Sequence, residues 1–315
     1  MKRTLLVTAP LVGALVVAGC GGSSEAESSG SAKPGALPVV AAFYPLGYAL
    51  ERVGGERVDV TSLTKPGAEP HDVELTPRDV ADLGRSSLVV YEKGFQPAVD
   101  DAIGSQVDAS KALDVATEVD LTVAATDDGH DHGGGEEHGD EGAVDPHFWL
   151  DPTRYASAVK AIAKKLAAVD PAGATAYRAN AETMVAELTT LDTEFATGLK
   201  TCTNRDLVTG HVAFAYLADR YDLHQSGVSG LSPDAEPNAA TMKDIVEHVR
   251  EHKVTTIYAE PLVSRDLTET IAKESGATVA VLDPIEGLSK ASAGSDYFEI
   301  MRSNLTALRK GLGCS

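Results

Sequence analysis

Twice along this chain, short apolar runs alternate with helix-length stretches, and one long helical pattern separates the two series. Residues 39–43, 58–63 and 87–91 are apolar and strand-length, with helical stretches at 77–84 and 96–103. The rhythm resumes with strand-like runs at 207–210, 223–228, 255–259 and 278–282. Helical stretches at 212–220, 239–252 and 265–275 lie between them, and a last one covers 297–312. Strands separated by helices need crossover connections, which make the strands parallel and cover the sheet with helices. The pattern therefore predicts an α/β protein with two lobes.

Between the two series, one helical stretch runs over 152–169 and the next starts at Pro171. Proline is favoured at a helix start. Tyr177, Met184, Leu188, Leu191 and Phe195 then recur at spacings of three, four and seven, which marks one buried helix face. Carried to about residue 200, this helix is roughly 45 Å long, more than one small lobe needs. The expected organisation is an N-terminal lobe over 37–170, a linking helix over 171–201 and a C-terminal lobe over 202–315.

The chain's start bears on its compartment. Lys2 and Arg3 precede an apolar run over 5–17, and small residues follow it. This pattern predicts a secretory signal over 1–19, too short for a comfortable permanent membrane span. Val17-Ala18-Gly19-Cys20 resembles the bacterial lipobox, which implies lipidation of Cys20 and a membrane tether. Residues 20–36, rich in Gly, Ser and Glu, read as the flexible tether itself. Cys202 and Cys314 then remain as a pair in an oxidising compartment, and a disulfide is expected. The alternative, thiolate ligation of zinc, is weaker because no Cys-x-x-Cys pair is present. A formal net charge of −20 excludes a nucleic-acid partner and favours a cationic ligand or plain solubility.

Ligands of open α/β sheets bind beyond the carboxyl ends of the strands. His71 lies in the loop after the run 58–63, His211 directly follows 207–210, and Asp283 directly follows 278–282. His147 stands in an aromatic turn, DPHFWLDP. A cleft between the lobes can gather all four, and three imidazoles with one carboxylate form a good tetrahedral zinc set. Taken singly, each residue has a plainer role: a capping or hydrogen-bonding histidine, or an aspartate that starts a turn.

The segments EPHDVELTPRD, DPHFWLDP, GHVAFAYLADRY with SPDAEPN, and VLDPIEG occur in this order and cover essentially the whole chain after the tether. Together they resemble the zinc-binding solute-binding lipoproteins of bacterial ABC importers, the ZnuA-like family. The resemblance implies two Rossmann-like lobes with parallel sheets joined by a long rigid helix, and a metal site in the cleft between them. It implies a monomeric, non-enzymatic receptor that captures Zn²⁺ outside the membrane for an ABC permease. Its ligand positions fall on His71, His147, His211 and, for the fourth, Asp283. Manganese-binding relatives typically carry glutamate at the third position, so His211 favours zinc. The fourth contact varies in the family between a carboxylate and water, and Glu69 stands two residues before His71 as a competitor. Glu260, in YAEP, is either a supporting partner of the site or a structural strand-end residue. Manganese receptor, adhesin and secreted zinc hydrolase remain alternative readings, the last without His-Glu-x-x-His or any other catalytic signature.

Two further histidine groups stand apart. His130, His132 and His138 lie among acids and glycines over 127–141, where no apolar pattern supports a core. This tract is expected to be an auxiliary zinc collector rather than the main site. His248 and His252 share a helix face at i, i+4, a spacing that can chelate metal, but without the Glu of His-Glu-x-x-His the sequence favours a solvated surface, and His224 has no evident partner.

Overall fold

Two four-stranded parallel sheets of identical topology build the molecule, as seen in a computed structural model that describes residues 33–123, 144–235 and 237–315. In the N-terminal lobe, β1 (Leu37–Ala41), β2 (Val58–Ser62), β3 (Leu88–Tyr91) and β4 (Ala112–Asp114) run in the order β2-β1-β3-β4. In the C-terminal lobe, β5 (Asp206–Thr209), β6 (His224–Gly227), β7 (Thr256–Ala259) and β8 (Thr278–Val281) repeat it as β6-β5-β7-β8. The strand order reverses at the β1/β3 and β5/β7 boundaries, and a crevice opens there at the carboxyl ends. Central strands are covered on both faces, which is why Val39, Val40 and Ala41 of β1 and Leu88, Val89 and Val90 of β3 form unbroken apolar runs.

The N-terminal lobe carries α1 (Tyr44–Gly54), α2 (Pro77–Arg85), α3 (Pro97–Gln106) and α4 (Pro152–Val169). The C-terminal lobe carries α6 (Ala215–Tyr221), α7 (Ala239–Glu251), α8 (Asp266–Ser275) and α9 (Tyr297–Gly311). Local chemistry sets several helix starts. Thr76 and Asp79 form a reciprocal capping box ahead of α2, Asp151 caps α4, Asn238 caps α7 and Asp296 caps α9.

The lobes are joined by α5 (Ala174–Gly198), whose 25 residues span ~37 Å. It packs along α4 and α1 and reaches α9 of the other lobe. The sequence pattern starts this helix at Pro171; in the structure Pro171–Gly173 is a 3-10 turn that precedes it. One apolar core runs through both lobes and includes Phe43, Trp149, Tyr177, Phe195, Phe214 and Tyr297. The Trp149 indole N–H donates to the Pro284 carbonyl at 2.7 Å, and the Tyr297 hydroxyl donates to the Trp149 carbonyl at 2.6 Å. A shared core and these bonds make the connection rigid. A second, smaller core holds α7 and α8 against the C-terminal sheet through Val208, Val246, Val249, Ile257 and Ile271.

Three local departures from the sequence pattern have physical causes. Residues 212–214 are not helical and instead form a loop in which Val212 donates to the Gly230 carbonyl and Phe214 to the Gln225 side chain, with α6 starting at Ala215. This delays α6 and leaves His211 on a loop. The three-residue strand β4 is too short to show a period, and α1 is buried on most of its faces, so neither stands out in the sequence. Cys202 and Cys314, 112 residues apart, form a disulfide that fastens the C-terminus to the segment after α5. Their sulfurs are bonded to each other, so thiolate ligation of zinc is set aside.

Candidate metal centre

Loops from the carboxyl ends of both sheets converge on one buried carboxylate. The Nε2 atoms of His71, His147 and His211 lie 3.2, 3.0 and 3.2 Å from Glu286 Oε1. Ligand atoms of these four residues all lie within 4.8 Å of one another. His147, His211 and Glu286 are buried, while His71 keeps a little exposure at the rim. Phe95 closes that side, its ring edge-on to His71 with centroids 4.7 Å apart.

Each lobe orients its histidine in the same way. Asp145 Oδ1 accepts both the backbone N–H of His147, at 2.7 Å, and lies 2.8 Å from its Nδ1. Glu260 Oε1 accepts the backbone N–H of His211 at 2.9 Å, and its Oε2 lies 2.6 Å from Nδ1. A carboxylate facing Nδ1 fixes the tautomer with the proton there and turns Nε2 toward the centre. Glu260 sits directly after β7 and His211 two residues after β5, so this pair spans the strand-order reversal of the C-terminal sheet. Glu69 plays a related part for His71, accepting its backbone N–H at 2.9 Å, with its other oxygen 3.9 Å from Nε2. Such outer carboxylates are worth about 10- to 100-fold in metal affinity. Glu260→Gln is accordingly expected to weaken metal binding by roughly that factor, read as a shift in a competition titration against a chelator.

The structure corrects one member of the expected set. Asp283 is not in the cluster; Glu286, three residues later, takes its place. The Asp283 side chain turns back on its own loop and accepts the Ile285 N–H at 2.8 Å, while its backbone is bracketed by Asn304. Ile285 follows with φ of 60°, a left-handed conformation that β-branched residues rarely adopt. That reversal swings Glu286 inward. The signal was present in VLDPIEG, since Asp-Pro favours a turn over a ligand role and leaves the next carboxylate to point elsewhere. His130, His132, His138 and Cys20 lie outside the described residues.

Electrostatics match the geometry. Burial alone raises the Glu286 pKa, but the His211 charge and the hydrogen bonds from the imidazoles outweigh it and hold that carboxyl well below its ordinary range. Burial opposes charging of His211 as well, yet Glu260 and Glu286 raise its pKa well above the usual value. His147 is raised in the same way, against burial, by Asp145 and Glu286. At the rim, burial dominates: it lowers the His71 pKa and, helped by the Glu286 charge, pushes Glu69 up to about 7. A cation binding at this centre competes with protons for the same nitrogen and oxygen atoms.

Comparison with known proteins gives this geometry a lineage. Residues 39–311 match the family model described as zinc-uptake complex component A, periplasmic. The chain belongs to this family. A relative from Bacillus subtilis (strain 168), the high-affinity zinc uptake system protein ZnuA, is 36% identical over 308 residues, covering 95% of this chain and 94% of that one. The zinc-binding lipoprotein AdcA of Streptococcus pneumoniae (strain ATCC BAA-255 / R6) is 33% identical over 315 residues, 98% of this chain but only 61% of that longer protein. Among solved structures, the Zn(II)-bound ZnuA-like domain of Streptococcus pneumoniae AdcA superimposes with a TM-score of 0.73 at 33% identity, covering 88% of this chain and 99% of that one.

Proposed function

We propose that this chain is an extracytoplasmic receptor that binds Zn²⁺ between its lobes and hands it to the permease of an ABC importer. The observation that carries the reading is the convergence of three imidazole Nε2 atoms on one carboxylate oxygen in a buried pocket. Zinc takes nitrogen and oxygen ligands at about 2.0–2.2 Å in a tetrahedron. The edges of such a tetrahedron are roughly 3.3 Å, by geometry from those bond lengths. The 3.0–3.2 Å separations found here are close to that, so the pocket is nearly preformed for the ion. His71, His147, His211 and Glu286 are the proposed ligands. A nitrogen-rich set favours zinc over manganese, which prefers more carboxylate oxygen.

Four protein ligands complete the coordination, whereas catalytic zinc keeps a position open for water. The ion is cargo, and the chemistry is capture and release. The short signal, the lipobox-like Val17-Ala18-Gly19-Cys20 and the lipoprotein name of the AdcA relative support a lipid anchor at the outer face of the membrane. The His-rich tract 127–141 then serves as an auxiliary collector.

Titration of the metal-depleted protein with zinc, in competition with a chelator, tests the reading. One tight ion per chain is expected, held far more strongly than manganese. Deleting 127–141 is expected to retain that tight ion while lowering the total zinc bound. Absence of tight binding would sink the receptor reading; loss of it on deletion would sink the auxiliary role of the tract.

A further inference from the structure

The carboxyl ends of the C-terminal strands face the metal centre, and their amino ends gather a second group of ligand-type side chains. Asp206 is the first residue of β5, and His224, the first of β6, is its partner in the parallel register. His248 lies in the last turn of α7 and His252 is its cap. The fold brings these four together from three elements that are far apart in sequence.

The Asp206 carboxylate stands between the imidazoles. Its Oδ2 lies 3.3 Å from His252 Nδ1 and its Oδ1 lies 3.8 Å from His224 Nδ1. The His248 and His252 rings stack with centroids 4.1 Å apart, as i, i+4 neighbours can. Ligand atoms of Asp206, His248 and His252 all lie within 4.8 Å of one another. Asp206 is mostly covered, its side chain 16% exposed, whereas His252 at 47% and His224 at 73% are open to arriving ions.

We propose that this cluster is a second divalent transition-metal site, with Asp206, His248 and His252 as ligands and His224 at its edge. Imidazole nitrogens with one carboxylate suit zinc, nickel or copper(II) rather than magnesium or calcium, which want oxygen. The carboxyl end of a helix carries partial negative charge, so the end of α7 favours a cation there. Arg205, next in sequence, is held off by its bonds to the carbonyls of Lys200, Tyr221 and Asp222. Lys253 and Lys310 line the same depression and weaken the site, as do coordination positions left to water. Binding there is therefore weaker than between the lobes. The two sites sit at opposite ends of the four-residue strand β5. A metal here ties the end of α7 to the β5–β6 edge.

The site does not depend on occupancy of the cleft, and the test keeps the two apart. Equilibrium dialysis of the full chain against graded free Zn²⁺ is compared for wild type, the double variant His248→Asn/His252→Asn and Asp206→Asn. At excess zinc, both variants are expected to hold one ion fewer per chain than wild type, with the affinity of the tightest ion unchanged. The same deficit is expected when the comparison is repeated in a His211→Ala background, where cleft binding is impaired. Crystals grown with excess zinc should show an anomalous peak between Asp206, His248 and His252. Equal stoichiometry in wild type and the double variant, or no such peak, overturns the proposal. So does loss of the tightest ion in the double variant, because it would tie these residues to the cleft.

Discussion

His211→Ala is expected to lower zinc affinity by on the order of 100- to 1,000-fold, while Asp283→Asn leaves it within about threefold. The larger figure follows from sharing the roughly 10–16 kcal/mol of a four-ligand zinc site among its members. Glu286→Gln removes the charge yet keeps an oxygen in place, so an intermediate loss of about 10- to 100-fold is expected. Asparagine at 283 keeps the oxygen that accepts the Ile285 N–H, and with it the turn that aims Glu286. Competition with a chelator of known affinity measures all three. Thermal unfolding of the metal-free variants shows whether the fold survives, since His211→Ala leaves Glu260 buried without its main partner. If Asp283→Asn weakened zinc as much as Glu286→Gln, the assignment of the fourth ligand would be wrong.

Breaking the Cys202–Cys314 bridge is the change expected to cost most in stability. It closes a loop of 112 residues, for which the chain-entropy model gives about 4–5 kcal/mol. In a chain of this size that corresponds to a fall of roughly 6–8 °C in Tm. The C202A/C314A double variant, compared with the oxidised protein in calorimetry, reads this directly. The bridge lies at the end of α9, away from the residues around Glu286, so the affinity of the tight zinc ion should not move with it. A variant as stable as the parent would show that the bridge contributes little to the folded state.

The parts of this fold that were legible in the sequence are those decided locally. The long helix shows in the spacing of Tyr177, Met184, Leu188, Leu191 and Phe195, all of which are buried in α5. Parallel strands show as apolar runs, because covered strands need no polar face. Histidines placed directly after strands also show, since the strand ends are readable and α/β sheets bind ligands there. His211 shows in this way, His71 as part of the loop after a strand and His147 through its aromatic turn, and the three converge.

What failed depended on a turn or on distance. Asp283 stands in the expected place along the chain, but a short carboxylate before proline bonds to its own loop, and the left-handed Ile285 hands the position to Glu286. No periodicity reports such a reversal. Nor does sequence show that Asp206, at the start of β5, lies against a histidine pair more than forty residues away. Likewise, residues 212–214 carry a helical pattern, yet they form a loop bonded to Gly230 and Gln225.

By itself, then, the sequence determined the α/β class, the linking helix, the cysteine pair and three histidines in strand-end loops or an aromatic turn, because each depends on spacing or on residue type. Only the tertiary structure decided which carboxylate those histidines meet and which carboxylates orient them. It alone brought Asp206 to His248 and His252. Those outcomes depend on where loops from separate strands finish in space, and backbone reversals and long-range hydrogen bonds set that position.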